Sequence, residues 1–350
     1  MLRPRLRDLG FTIGRLPTGP LNAITDVAGV AVGHTTIIRD EPRVARTGVT
    51  VVHCRPVQAS ADLCYGGMYS FNGNGEMTGS HWLDESGLLY GPIGITNTHQ
   101  VGVVRDTLVE HEIALRDDAQ WCLPVVAETW DGFLNDIDAF HVTADDVRSA
   151  IANASAGAVE EGCVGGGTGM VCHGFKGGIG TSSRLVGEAP YTVGVLVQAN
   201  YGGRSDLRLD GLHVGAAIND DVVPPPTDLH VANAGSIIVV VATDAPLVAD
   251  QCKRLARRAT VGLSRTGGYG SNGSGDIFIA FSTANRIPAR AKGPITVQTL
   301  PNTEMTPLFQ AVAEAVEEAI WNAMCAAETM TGHLGRTVHA VPHDLLAALR

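Results

Sequence analysis

The sequence has no paired-cysteine framework. Its seven cysteines are odd in number and none falls in a CxxC spacing, which argues against a disulfide scaffold and against a structural zinc site. Reduced core thiols are the better reading, and with them a cytoplasmic location. Positive charge is also scarce: 25 Lys and Arg stand against 36 Asp and Glu, for a net charge of −11. No basic run interleaved with aromatics occurs, so nucleic acid is not an expected partner. No apolar run approaches the roughly 18 residues of a membrane span. The opening "MLRPRLRDLGFTIGRLP" has neither the apolar centre nor the small-residue cleavage site of a leader. Aromatics make up only 5%.

Glycine and β-branched residues are plentiful instead. With 42 glycines and 45% hydrophobic residues in a 350-residue chain, small side chains, close backbone approach and a large core are expected. The apolar runs "GVTVVHC" (48–54), "GPIGITNT" (91–98), "YTVGVLVQAN" (191–200), "SIIVVVATD" (236–244) and "GDIFIAFST" (275–283) read as strands. In the fourth, Ser236, Ile238 and Val240 face one way and Ile237, Val239 and Val241 the other, which predicts a sheet covered on both sides. A helix is expected over 143–162 opening at Thr143, another over 244–263 with Asp244 as its cap, and a long amphipathic one over 306–332 from Thr306 and Pro307. Residues 202–235, broken by Pro224, Pro225 and Pro226, read as a long irregular segment within one αβ domain.

Two glycine-rich stretches are set aside. "GYGSNG" (268–273) fits GxGxxG, but it follows a helix and precedes a strand, the reverse of the dinucleotide order. "GCVGGGTGMVCHGFKGGIG" (162–180) places Lys176 after Phe175, so no phosphate loop emerges. Its expected role is close backbone passage. His333, His339 and His343 lack a carboxylate or cysteine at ligand spacing and read as surface histidines, so no metal and no organic cofactor is expected.

What remains is Ser236, a small hydroxyl residue at the first position of a buried strand, directly after Gly235. A mobile approach followed by a rigid strand can concentrate strain on one peptide bond, and the missing Cβ at Gly235 lets the Ser236 Oγ reach the preceding carbonyl. Attack there converts the amide to an ester, and hydrolysis frees Ser236 as a new amino terminus. Its α-amine, with a reference pKa of about 7.7–8.0, can then serve as base for its own hydroxyl.

"NAGSIIVVVATDAPL" (233–247), "GNGEMTG" (73–79), "ITNTHQVGVVRD" (95–106), "VVAETWDGFLNDI" (125–137), "GGGTGMVCHGFKGGIGTSSR" (165–184), "VGVLVQANYG" (193–202) and "GSGDIFIAFSTAN" (273–285) together resemble the DmpA family of self-cleaving aminopeptidases, peptidase family S58. This family includes D-aminopeptidase/esterases and β-peptidyl aminopeptidases. The resemblance implies a four-layer αββα sandwich, similar to N-terminal-nucleophile hydrolases but with different strand connectivity. The strand pattern alone would equally suit a three-layer parallel sheet. It further implies autocleavage into 1–235 and 236–350, and a homo-oligomer of cleaved chain pairs.

Carried over by residue, the resemblance makes Ser236 the nucleophile, with Gly235 before the scissile bond. Ser274 and Asp276 become the hydroxyl and carboxylate that tune it, and Asn200 the oxyanion-hole amide. Glu128 holds the substrate ammonium and Trp130 walls the pocket. Read without the family, Asp276 ends a turn that Ser274 fills, and Asn200 bonds the Tyr201–Gly202 turn. Trp130 departs from the tyrosine expected in the best-known relatives, and Asn135 reads as structural. The expected substrates are short peptides and amino acid amides or esters. The rivals are an endo-acting oligoamide hydrolase of the same fold and an uncleaved, non-catalytic binding protein.

Overall fold

Ser236 opens a strand whose two faces serve two different cores, and the layering follows from that. The computed structural model describes residues 3–56, 62–115, 121–188, 191–226 and 235–350. Its strands are β1 (Ala31–Arg39), β2 (Ala45–His53), β3 (Asp62–Gly73), β4 (Leu88–Leu89), β5 (Ile93–Asn97), β6 (Val126–Thr129), β7 (Val171–Cys172), β8 (Phe175–Lys176), β9 (Gly178–Val186), β10 (Tyr191–Asn200), β11 (Ser236–Thr243) and β12 (Gly275–Pro288). Helices are α1 (Ser80–Ser86), α2 (Val101–Leu115), α3 (Ala144–Ala152), α4 (Val214–Ala217), α5 (Ala249–Arg257), α6 (Ala259–Arg265) and α7 (Met305–Ala326).

Among the described residues one sheet runs β1-β2-β5-β6 and a larger one β4-β3-β12-β11-β10-β9. On β11, Ile238, Val240 and Ala242 join Leu196 and Ile279 against Val52, Ile93 and Ile95 of the smaller sheet. Ile237, Val239 and Val241 point the other way, onto Leu255 of α5 and Val312, Val316 and Ile320 of α7. The period-2 alternation therefore divides one strand between the sheet–sheet and sheet–helix interfaces. Each fully buried aliphatic side chain contributes roughly 1.5–3 kcal/mol. The far face of the smaller sheet, with Val49, Val51 and Val126, is covered by Val104 and Leu108 of α2 and Val147 and Ala150 of α3. The order is helix, sheet, sheet, helix: the expected αββα sandwich.

Several helices differ from their sequence reading. Thr143 does cap α3, with Asp146 returning a bond to the Thr143 N–H at 2.8 Å. The helix nevertheless ends at Ala152, because Ser155 is drawn into a bridge with Val32. Asp244 caps nothing; its carboxylate accepts the Thr192 N–H at 2.7 Å. The helix that was to follow it starts at Ala249 and breaks at Arg258 into α5 and α6. α7 begins one residue before Thr306. Residues 202–226 hold a 3-10 turn at Arg204–Asp206, a Leu209–Leu212 bridge and α4, while 227–234 lie outside the described residues.

The glycine-rich stretch does bring backbones together. A Cβ on Gly180 would lie 1.9 Å from the Ala319 carbonyl of α7, and one on Gly166 would lie 2.8 Å from the Ile95 carbonyl of the other sheet. No helix among the described residues is long and apolar enough to cross a membrane.

Candidate active site

β11 lies between β10 and β12, antiparallel to the first and parallel to the second, so Ser236 has Asn200 on one side and Gly275 on the other. The carbonyl of Gly235 accepts the Gly275 N–H at 2.9 Å, which fixes and polarises it. A Cβ at position 235 would lie 2.5 Å from the Asn200 carbonyl and 2.7 Å from Tyr201 Cα. Only glycine fits there.

Gly235 and Ser236 border a cavity of about 580 Å³, with Glu128, Trp130, Asn200, Phe133 and Val171 among its walls. That volume is in the range of small-molecule sites, roughly 300–1,000 Å³.

Glu128 comes from β6, opposite Thr96 of β5. It is buried, and its two oxygens are held by the Glu76 N–H at 2.9 Å and by the Thr98 hydroxyl. Burial raises its pKa above the usual glutamate value, with both hydrogen bonds working against the rise. Gly75, within the "GNGEMTG" motif, explains the room around it. A Cβ there would stand 3.3 Å from Glu128 Oε1 and 3.2 Å from Gly275 Cα. Trp130 is 40% exposed, so it forms a wall open to solvent. Its ring sits where a Cβ of Gly132 would be, 2.5 Å away.

Asn200 closes β10. Its Oδ1 accepts the Val171 N–H at 2.8 Å and its Nδ2 donates to the Trp130 carbonyl at 2.9 Å. The first bond fixes the orientation of the amide, and the second uses one of the two Nδ2 hydrogens. The alternative reading, a bond to the Tyr201–Gly202 turn, is not what the amide makes.

Ser274 and Asp276 form a pair: the Ser274 hydroxyl donates to Asp276 Oδ1 at 2.5 Å. Burial pushes the Asp276 carboxyl up to about 6, opposed by the Ser274 hydroxyl and the Ile237 N–H. The pair borders a smaller recess, shared with Tyr201, Gly202, Gly203 and Gly235 and with Gly268, Tyr269, Gly270 and Ser271 of the discounted "GYGSNG" stretch. Gly235 borders both spaces. Glu128, Trp130 and Asn200 thus meet Ser236 in the larger cavity, whereas Ser274 and Asp276 approach it from the β12 side.

Sequence reasoning missed several groups around the site. Thr98 is a hydroxyl inside the quoted "ITNTHQVGVVRD" run and gave no separate signal. Asp131 is fully buried with its carboxyl pushed up to about 7 by desolvation. Its backbone carbonyl accepts the Leu134 and Asn135 N–H groups at 3.1 and 3.0 Å, and its Oδ1 accepts the Asn135 side chain at 3.0 Å. Asn135 is therefore structural, part of the turn that presents Trp130. Lys176 is fully buried, its Nζ donating to the Gly177 carbonyl at 3.0 Å. Outside both spaces, His333, His339 and His343, read as surface histidines, are half-buried, and His343 lies 2.9 Å from the Cys325 carbonyl.

Comparison with known proteins identifies the family and the fold. The family model of peptidase family S58 matches residues 22–338. The chain is 48% identical to the β-peptidyl aminopeptidase BapA of Sphingosinicella microcystinivorans, over 99% of this chain and 91% of the relative. A solved β-aminopeptidase from a Burkholderia species is 49% identical and superposes with a TM-score of 0.93, covering 99% of this chain and 98% of that one. The L-aminopeptidase D-Ala-esterase/amidase of Ochrobactrum anthropi, described as a variant of the Ntn hydrolase fold, also gives 0.93, at 46% identity and the same coverage. The chain belongs to peptidase family S58 and is an aminopeptidase.

Proposed function

We propose that this aminopeptidase makes its own nucleophile by cutting the Gly235–Ser236 bond, leaving residues 1–235 and 236–350 associated. The Ser236 Oγ attacks the Gly235 carbonyl carbon. The C–N bond breaks, an ester forms, and the Ser236 nitrogen keeps the proton lost by the hydroxyl. Water then releases the Gly235 carboxylate and returns the hydroxyl, now beside a free α-amine.

In turnover, Glu128 holds the ammonium of the substrate's first residue and Ser236 attacks that residue's carbonyl, with its own amine as base. The remaining Nδ2 hydrogen of Asn200 stabilises the oxyanion. The amine then protonates the leaving group, and water resolves the acyl-enzyme. Asp276, bonded to Ser274, stands on the neighbouring strand to hold the ammonium form of the new terminus between steps. Trp130 shapes the space beside the substrate.

The observation that carries this reading is the convergence of Ser236, Asn200 and Glu128 on one cavity. A carboxylate there suits an amino-terminal ammonium, which favours exo- over endo-cleavage. The substrates in this reading are short peptides and amino acid amides or esters, in keeping with the names of the BapA and D-Ala-esterase/amidase relatives. Six of the seven free cysteines are buried, in keeping with a cytoplasmic protein, and the cleaved pairs associate as a homo-oligomer. Denaturing electrophoresis tests the processing step: two bands are expected from purified protein, against one near 36.6 kDa for an uncleaved binding protein.

A further inference from the structure

The cavity has two sides with respect to Ser236. On the β12 side, Gly275 approaches Gly75, and Gly75 approaches Glu128. On the β10 side, the chain leaves Asn200 through Tyr201, Gly202 and Gly203 to Arg204, which faces Asp220. Arg204 and Asp220 thus share one cavity wall with Ser236 and Glu128.

Arg204 is the only cationic side chain among the described residues of the cavity wall, and each of its nitrogens already donates to backbone. Nε donates to the His173 carbonyl at 3.0 Å and Nη2 to the Gly174 carbonyl at 2.7 Å. Nη1 reaches the Val223 carbonyl at 3.2 Å. The guanidinium carbon lies 3.5 Å from the centre of the Phe175 ring. These bonds, all to neutral carbonyls, hold the loop in place and tie up part of the donor set while leaving the positive charge of Arg204 intact. Asp220, in contrast, is 3.8 Å from Arg204 Nη1, beyond hydrogen-bond distance, and its side chain is 58% exposed. With Glu76 and Glu128 it gives the cavity wall three carboxylates against one guanidinium, an excess of negative charge.

We propose that Asp220 is a specificity-determining residue on the leaving-group side, favouring a cationic or uncharged leaving amine over one that carries a free carboxylate beside the scissile bond. The proposal rests on the catalytic reading above and takes the leaving group to lie toward Arg204 and Asp220. Screening at an exposed site limits the effect to about two- to fivefold per charge.

The test uses processed full-length protein and one acyl residue joined to lysine amide, norleucine amide or norleucine free acid, with the p-nitroanilide of the same residue alongside. The wild type is expected to rank lysine amide above norleucine amide above the free acid, each step about two- to fivefold in kcat/KM and carried by KM. Asp220→Asn should narrow both steps, and Asp220→Lys should reverse the order. Identical ratios in all three proteins, or a wild-type preference for the free acid, overturn the proposal while p-nitroanilide turnover leaves the catalytic reading standing. A wild type that turns over none of the four, p-nitroanilide included, overturns both.

Discussion

Asn200 and Ser236 are register partners, the last residue of β10 facing the first of β11 across an antiparallel ladder. In the proposed mechanism these are donor and nucleophile, and on adjacent strands they need no loop movement to meet one carbonyl, which is the preorganisation that oxyanion stabilisation requires. Replacing Asn200 by alanine should lower kcat by about 10²–10³-fold. KM should change far less, as expected for an interaction made in the transition state. Steady-state kinetics on an aminoacyl p-nitroanilide check this, and a loss confined to KM would contradict it.

Glu128 is predicted to govern substrate affinity. Charge-assisted hydrogen bonds are worth roughly 1.5–3 kcal/mol, so Glu128→Gln should raise KM about 10- to 100-fold. Because burial raises the Glu128 pKa, the wild-type carboxylate takes up a proton sooner than an ordinary glutamate as pH falls. Its grip on the ammonium is lost in that direction, so wild-type KM should climb on the acid side while the variant's KM stays flat. A pH series of KM for both proteins shows whether it does.

Processing itself should respond to Asp276. In the intact chain its carboxyl is pushed up to about 6, so it is neutral below that pH and ionised above it. An ionised Asp276 stabilises the positive charge that builds on the Ser236 nitrogen as it takes up the hydroxyl proton and the C–N bond breaks. Precursor conversion should therefore rise with pH through about 6. Asp276→Asn should convert slowly and without that rise. Gel densitometry of freshly translated chain at a series of pH values gives the profile; the same inflection in the variant would assign it to another group.

Gly235→Ala is expected to block or strongly slow processing, since the added methyl would stand 2.5 Å from the Asn200 carbonyl. Relief of that contact must shift β10 or the residue itself, and either spoils the approach of Oγ to the carbonyl. Electrophoresis of the variant should show mainly the full-length chain.

Much of this site could be read from the sequence because its parts sit at strand ends with strong local patterns. The alternation in "SIIVVVATD" predicted both faces of β11, and Asn200 and Ser236 mark the ends of two such runs. What local pattern could not supply was the partner across space. Asp244 looks like a helix cap until the Thr192 N–H, 52 positions away, takes its carboxylate. α3 looks longer until Val32 captures Ser155. Helix α2 passed unread because its buried Val101, Val104 and Leu108 are spaced among charged residues. Arg204 and Asp220 lay in a stretch read as irregular, and Arg204 is placed by the His173 and Gly174 carbonyls some 30 positions away.

The most direct measurement is the mass spectrum of active, purified protein under denaturing conditions. Two chains should appear, one ending at Gly235 and one beginning at Ser236, and Ser236→Ala should give a single inactive chain. Fully active protein made only of the intact 350-residue chain would contradict the account.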